Sequence, residues 1–170
     1  MAKKDLIIGA FTNYNFNQLK PWVESIDECG FKGDKLMIMG GYSQDTHDEL
    51  EKRNFFLVDT PKFNLPIHVL RFLAIYDYLK DVWPHYRYVV TTDVKDVYFQ
   101  TNPMDWLEKN LKDKKLVAGS ESMLYKDEPW GNENLIQTYG PYVHDIFKEN
   151  TIYNVGTIGG DAEYVKDLVF

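Results

Sequence analysis

The sequence predicts an α/β domain whose central sheet, of about six strands and mainly parallel, carries helices on both faces. Two observations carry that prediction. Short apolar runs at 5–12, 35–41, 55–60 and 87–93 have the length of buried strands. Segments with helical spacing alternate with these runs through the first two-thirds of the chain, which is the pattern of crossover connections in a parallel sheet. Bulk composition agrees. Among 170 residues, 44% are hydrophobic and 15% aromatic, enough for a sizeable core and too many for a disordered chain.

Each element has its own signal. DLIIGAFT (5–12) forms the first strand. Phe16, Leu19, Trp22, Val23, Ile26 and Cys29 then recur at helical spacing. Pro21 places that helix's first turn around itself, because proline belongs at a helix start. Gly30 and Gly33 end the helix. KLMIMGG (35–41) is the second strand. Thr46 with Glu49 makes a capping box for a short helix reaching Arg53. FFLVDT (55–60) is the third strand. The longest helix runs from Pro66 to Val82, bounded by Pro66 and Pro84. RYVVTTD (87–93) is the fourth strand, and a short helix covers 103–111. KLVAGSES (115–122) is the fifth strand. GNENLIQTYG holds a brief helix, TIYNVGTIGG (151–160) is a sixth strand or a strand pair, and DAEYVKDLVF begins a last helix. That helix has no stop signal, so residues 1–170 read as one domain, the N-terminal part of a longer protein.

Charge and cysteine content exclude several classes. The net charge of −7 and the absence of a basic cluster argue against nucleic acid as a partner. The single cysteine, Cys29, excludes a disulfide framework and fits a reducing compartment. The apolar run near the N-terminus is too short for a signal peptide, and no stretch has the length of a membrane span. A cytoplasmic location follows as the expectation.

Ligands of open α/β sheets bind beyond the carboxyl ends of the strands. Here those ends are polar: Thr12-Asn13-Tyr14-Asn15, Asp59-Thr60, Thr91-Thr92-Asp93 with Asp96 close by, and Ser120-Glu121-Ser122. Asp93 and Asp96 form the strongest pair. Mg²⁺ or Mn²⁺ takes oxygen ligands, and one or two carboxylates with substrate phosphates suffice. The competing reading is a turn with a solvated Asp96. Arg71 lies within the stripe of Ile67, Ala74, Tyr78 and Val82, and a buried guanidinium needs a partner. That partner is either a phosphate or a structural carboxylate; otherwise the stem snorkels out to water. His68, one turn earlier, reads as a surface histidine. Tyr14 either stacks on a base or packs in the core. Asn154-Val155-Gly156 and Gly159-Gly160-Asp161 bracket the last strand, where glycines let a ligand approach the backbone or simply turn the chain, with Asp161 as helix cap. Trp130 within WGNEN lines a sugar site or, more commonly for such a loop, anchors it by burial.

Four stretches in this order, GAFTNYN, RFLAIYDYL, VVTTDVKDVYFQTNP and YNVGTIGGD, resemble the GT-A fold of nucleotide-sugar glycosyltransferases. There is a fainter likeness to the members encoded by large algal viruses, which would place the protein in a host cytoplasm. The resemblance implies a Rossmann-like domain that binds Mn²⁺ (or Mg²⁺) and a nucleoside diphosphate sugar, UDP-linked by preference. Asp93 would contact ribose or metal and Asp96 would ligate the metal. Thr12, Asn13 and Tyr14 would hold the base. Asn154 and Gly160, with Asp161 beside them, would face the donor sugar. Arg71 and the metal would stabilise the leaving diphosphate, and the acceptor would be a hydroxyl on a glycan or glycoprotein. The spacing departs from the family. Two residues, Val94 and Lys95, separate the carboxylates instead of one, and Lys95 stands where the second aspartate belongs. Either a bulge brings Asp96 into place or metal binding is weak. The expected activity is transfer of a hexose-type sugar, with retention at the anomeric carbon mildly preferred. The alternative is a non-catalytic nucleotide- or glycan-binding module with a degenerate metal site. A phosphatase or nucleotidyltransferase is weaker still, since the first strand has neither a nucleophilic aspartate nor a glycine-rich phosphate loop.

Overall fold

The computed structural model describes residues 2–60 and 65–169. Six strands, β1 (Lys4–Thr12), β2 (Asp34–Gly40), β3 (Phe55–Asp59), β4 (Tyr86–Thr92), β5 (Leu116–Leu124) and β6 (Thr151–Asp161), form one sheet in the order β3-β2-β1-β4-β6-β5. The helices are α1 (Phe16–Glu28), α2 (Gln44–Glu51), α3 (Ile67–Val82), α4 (Pro103–Asn110), α5 (Pro129–Phe147) and α6 (Ala162–Leu168). β1 pairs in parallel with β2 and β4, and β2 with β3. The α/β class, the six strands and the mainly parallel sheet therefore match the sequence expectation. β6 is one continuous strand, antiparallel to β4.

Strand residues alternate between two cores. Ile7, Phe11, Met37, Met39 and Val90 face one side, where they meet Leu19, Trp22 and Ile26 of α1, Leu50 of α2 and Leu107 of α4. Leu6, Ile8, Leu36, Ile38 and Val89 face the other, against Ala74, Ile75 and Leu79 of α3 and Val165 of α6. Burial on both faces is what turns the parallel strands into unbroken apolar runs. Cys29 packs at the edge of the first core, its thiol on the Ile26 carbonyl, and burial pushes the thiol's pKa up.

Backbone contacts group into two compact units, Met1–Val117 with Gly156–Phe170, and Ala118–Val155. In the second, Glu128 caps α5 by accepting from the N–H groups of Trp130 and Gly131. α5 outlasts the brief helix expected from GNENLIQTYG. It breaks at Gly140 (φ 81°) and resumes after Pro141, a residue that fits the first turn of a new segment. Trp130 lies in the first turn of α5 and is 76% exposed, so it does not anchor a loop by burial.

Two helix starts differ from the sequence expectation. α1 begins before Pro21, because Asn15 and Gln18 form a reciprocal capping box: the Asn15 side chain accepts from Gln18 N–H at 3.2 Å, and the Gln18 side chain accepts from Asn15 N–H at 3.0 Å. Pro21 consequently sits in the second turn. The carbonyl it leaves without an N–H donor is that of Asn17, an exposed residue that water reaches. For α2 the cap is Ser43, whose hydroxyl accepts from Thr46 N–H at 3.3 Å. Thr46 is the buried third residue of the helix, and Glu49 instead pairs with Lys52 and Arg53.

Gly160 is held tightly. Its φ is +154°, and a Cβ there would lie 2.1 Å from the carbonyl oxygen of Lys115. Neither the conformation nor the space admits a side chain. Gly160→Ala is expected to lose about 3 kcal/mol of stability by strain and overpacking. Urea unfolding measures it, and a variant as stable as the parent would contradict the packing described.

Candidate functional site

The carboxyl ends of β1 and β4 open onto a cavity of about 250 Å³. It is lined by Ala10, Phe11 and Thr12 of β1, Tyr14 of the following turn, Ile67, His68 and Arg71 from the start of α3, and Asp93 to Asp96 after β4. Of the residues singled out in the sequence, Thr12, Tyr14, Arg71, Asp93 and Asp96 thus come together.

The turn that carries the two aspartates is fixed from below. Gly9 has no side chain, and a Cβ there would lie 2.6 Å from Val94 and 2.8 Å from Trp22. Val94 therefore packs down onto β1 and is buried, although its neighbours Lys95 and Asp96 are exposed. Trp22 is fully buried; its indole N–H donates to Thr92 Oγ1 at 2.8 Å, and its ring lies 6.1 Å from that of Phe99. Ser25 Oγ accepts from Phe99 N–H at 3.1 Å. On the other side, Asp93 N–H donates to the Gly156 carbonyl at 2.7 Å. Helix α1 and strand β6 thus hold the two ends of the turn.

Arg71 settles one of the alternatives left by the sequence. Its side chain is 6% exposed and its guanidinium pairs with Asp93 Oδ1, while the Asp93 side chain remains 46% exposed toward the cavity. The guanidinium also lies 4.9 Å from the Phe72 ring. Arg71 thus has a carboxylate partner, and that partner borders the cavity. Of the expected stripe only Ala74 is buried; Ile67, Tyr78 and Val82 are half-buried, and Leu70, Ile75 and Leu79 make up the rest of the buried face.

Tyr14 stacks on Phe11 with centroids 6.2 Å apart and planes 8° from parallel. Phe11 reads in the sequence as ordinary strand core; its place next to the polar end of β1 is the available signal. Lys95 Nζ lies 6.0 Å from the Tyr14 ring centroid. Asn13 lies in the turn before α1 but does not line the cavity. It has φ 58°, donates its N–H to the Gly40 carbonyl at 2.9 Å, and sets its side chain against Gly41.

The last strand does not deliver the expected residues to this rim. β6 runs antiparallel to β4, so Thr157 lies opposite Thr92 and Gly156 reaches Asp93, while Gly160 and Asp161 pair with Val89 and Tyr88. Four residues of strand put Gly160 about 13 Å back from Gly156. Asp161 occupies the cap position of α6 without a side-chain cap bond, and its carboxylate lies 3.1 Å from Lys115 Nζ. Asn154 belongs to the second unit, where its amide donates to Glu121.

Among the described residues, the group of three metal-ligating side chains drawn together is His47, Asp48 and Glu51 on α2. Asp93 and Asp96 supply two carboxylates at the cavity, the number that Mg²⁺ or Mn²⁺ takes from protein when substrate phosphates and waters complete its shell. Among the described residues, no helix is long and apolar enough to cross a membrane.

No protein-family model matches the sequence, and neither does any curated protein. Solved structures match in fold. The 4-diphosphocytidyl-2C-methyl-D-erythritol synthase of Anaerococcus prevotii aligns over 98% of this chain and 74% of its own, at 12% identity and a TM-score of 0.57. The glucosyl-3-phosphoglycerate synthase of Mycobacterium tuberculosis, solved with Mn²⁺, UDP and glucosyl-3-phosphoglycerate, aligns over 95% of this chain and 57% of its own, at 13% identity and a TM-score of 0.56. The galactosyltransferase LgtC, solved with donor and acceptor sugar analogues, aligns over 95% of this chain and 59% of its own, at 15% identity and a TM-score of 0.56. This chain therefore spans less than two-thirds of either glycosyltransferase. The shared property is the GT-A-type α/β fold.

The two aspartates should respond differently to substitution. Asp93→Asn removes the charge facing a buried guanidinium and is expected to cost about 1–3 kcal/mol. Asp96→Asn, on an exposed side chain, should stay within about 0.5 kcal/mol. Chemical denaturation of both variants checks this, and equal losses would contradict the pairing.

Proposed function

We propose that this chain is the nucleotide-sugar-binding domain of a metal-dependent glycosyltransferase, using a UDP-linked hexose donor and a hydroxyl on a glycan or glycoprotein as acceptor. The observation that carries the reading is the convergence, in one cavity at the strand ends, of an aromatic face (Tyr14), a buried arginine (Arg71) and two carboxylates (Asp93 and Asp96). The Mn²⁺ and UDP of the mycobacterial structure and the sugar analogues of LgtC support it by fold.

Each group has a role in this proposal. Tyr14, stacked on Phe11, offers its free face to the base, and Thr12 lines the same wall. Asp93 and Asp96 would hold Mn²⁺ or Mg²⁺, whose charge would offset that of the diphosphate as it leaves. Arg71 orients Asp93 and brings positive charge to the cavity wall. The acceptor oxygen attacks the anomeric carbon from the face that the diphosphate leaves, as the bond from that carbon to the diphosphate breaks, and the departing diphosphate oxygen takes the acceptor's proton. The sequence singles out no carboxylate as general base, so retention at the anomeric carbon is the preferred outcome. Asn154 remains a proposed donor-side residue; Gly160 and Asp161 are reassigned to strand packing and to Lys115.

The nucleotidyltransferase among the fold neighbours makes a cytidine nucleotide the competing ligand. Calorimetry with UDP and with CTP, each with and without Mn²⁺, separates the readings. UDP is expected to bind tighter, to depend on Mn²⁺, and to weaken about tenfold or more in Asp96→Ala, a loss of at least ~1.4 kcal/mol. A preference for CTP would overturn the transferase reading, and UDP binding indifferent to both Mn²⁺ and Asp96 would overturn the metal assignment. NMR of the product's anomeric proton should show retention. UDP binding without turnover of any UDP-sugar would instead favour a binding module.

A further inference from the structure

We propose that Lys95 is a ligand of the donor's diphosphate, and that in the ligand-free protein its ammonium rests on the ring face of Tyr14 that the base will take. The inference rests on the nucleotide reading above and assigns a residue which that reading leaves without a role.

Three observations converge on it. Lys95 lines the same cavity as Arg71, Asp93 and Asp96, and its ammonium lies over the Tyr14 ring at 6.0 Å. Phe11 stacks on Tyr14 with near-parallel planes and so takes one ring face, which leaves a single face for a ligand and for the Lys95 ammonium to share. The backbone at Lys95 is not free to wander, because Val94 beside it is buried against β1 and Asp93 N–H is bonded to Gly156. The side chain therefore pivots from a fixed Cα at the cavity wall.

Charge gives the exchange its direction. Arg71 and Asp93 offset one another. Among the described residues, the ammonium of Lys95 pairs with neither Asp93 nor Asp96. A cation on an exposed aromatic face is weakly held. A phosphate oxygen is the stronger partner, and the four-carbon stem allows the move. A nucleotide that stacks on Tyr14 displaces the ammonium and brings the phosphates that receive it. A nucleoside displaces the ammonium and offers nothing in return.

That asymmetry is the test. Calorimetry compares UDP with uridine on the parent protein, Lys95→Gln and Lys95→Arg, in Mn²⁺ and again in EDTA. Lys95→Gln is expected to weaken UDP about tenfold while uridine binds equally or more tightly, and Lys95→Arg to keep most of the UDP affinity. The UDP difference should persist in EDTA. Unchanged UDP affinity in Lys95→Gln, or equal losses for UDP and uridine, overturns the proposal and leaves nucleotide binding intact. If the parent binds neither compound, the nucleotide reading itself fails and this assignment fails with it.

Discussion

The packing of Trp22 against Gly9 organises this molecule. The indole is fully buried and occupies the room that a Cβ on Gly9 would need. It touches Phe55 and Phe99 at ring separations of 6.0 and 6.1 Å, and its N–H is satisfied by Thr92. One side chain on α1 thereby reads out the spacing of β1, the end of β4 and the chain beyond it. An aromatic of this size brings much of the burial energy of its neighbourhood, and its polar tip demands a partner in the interior. Together these requirements leave α1 little freedom to slide, and the aspartate-bearing turn inherits that rigidity.

The ion pair of Arg71 and Asp93 works against this apolar background. A guanidinium in an apolar stripe is costly to desolvate, and the cost is tolerable because a carboxylate meets it. Asp93 is therefore bound on one side and wet on the other, held in one orientation while its free oxygen faces water. Asp96 lacks such a tether and stands exposed. The two aspartates look alike in the sequence, and what distinguishes them is Arg71 at the cavity wall and the Gly156 carbonyl on the Asp93 N–H.

Much of this was legible from the chain. Continuous apolar runs indicate the buried parallel strands, the polar ends of the first and fourth strands indicate the rim, and an arginine inside an apolar stripe indicates the need for a partner without naming it. What was not legible depended on competition or on direction. Pro21 argued for a late start to α1, but the reciprocal bonds of Asn15 and Gln18 outweighed one missing backbone bond. The Asn-x-x-Gln pattern was the signal that would have shown it. Gly160 and Asp161 seemed destined for the rim because earlier strands end there, yet strand direction is set by partners distant in sequence. Once β6 runs antiparallel, its middle meets the rim and its end does not. The second helical segment of α5 went unseen because Gly140-Pro141 reads as a terminator, although the same pair can also begin a new segment.

The bond from Asp93 N–H to the Gly156 carbonyl has a consequence for how the protein comes to be assembled. β1 through β4 are neighbours formed by chain that precedes residue 93, whereas Gly156 arrives with a strand made long afterwards. Contacts of such long sequence separation must overcome loop-closure entropy before they return any stabilisation. The rim is thus completed by a strand synthesised well after the four it joins. A chain still emerging from the ribosome can hold most of one core and yet lack the backbone partner that fixes the aspartate turn, so order in that turn trails compaction.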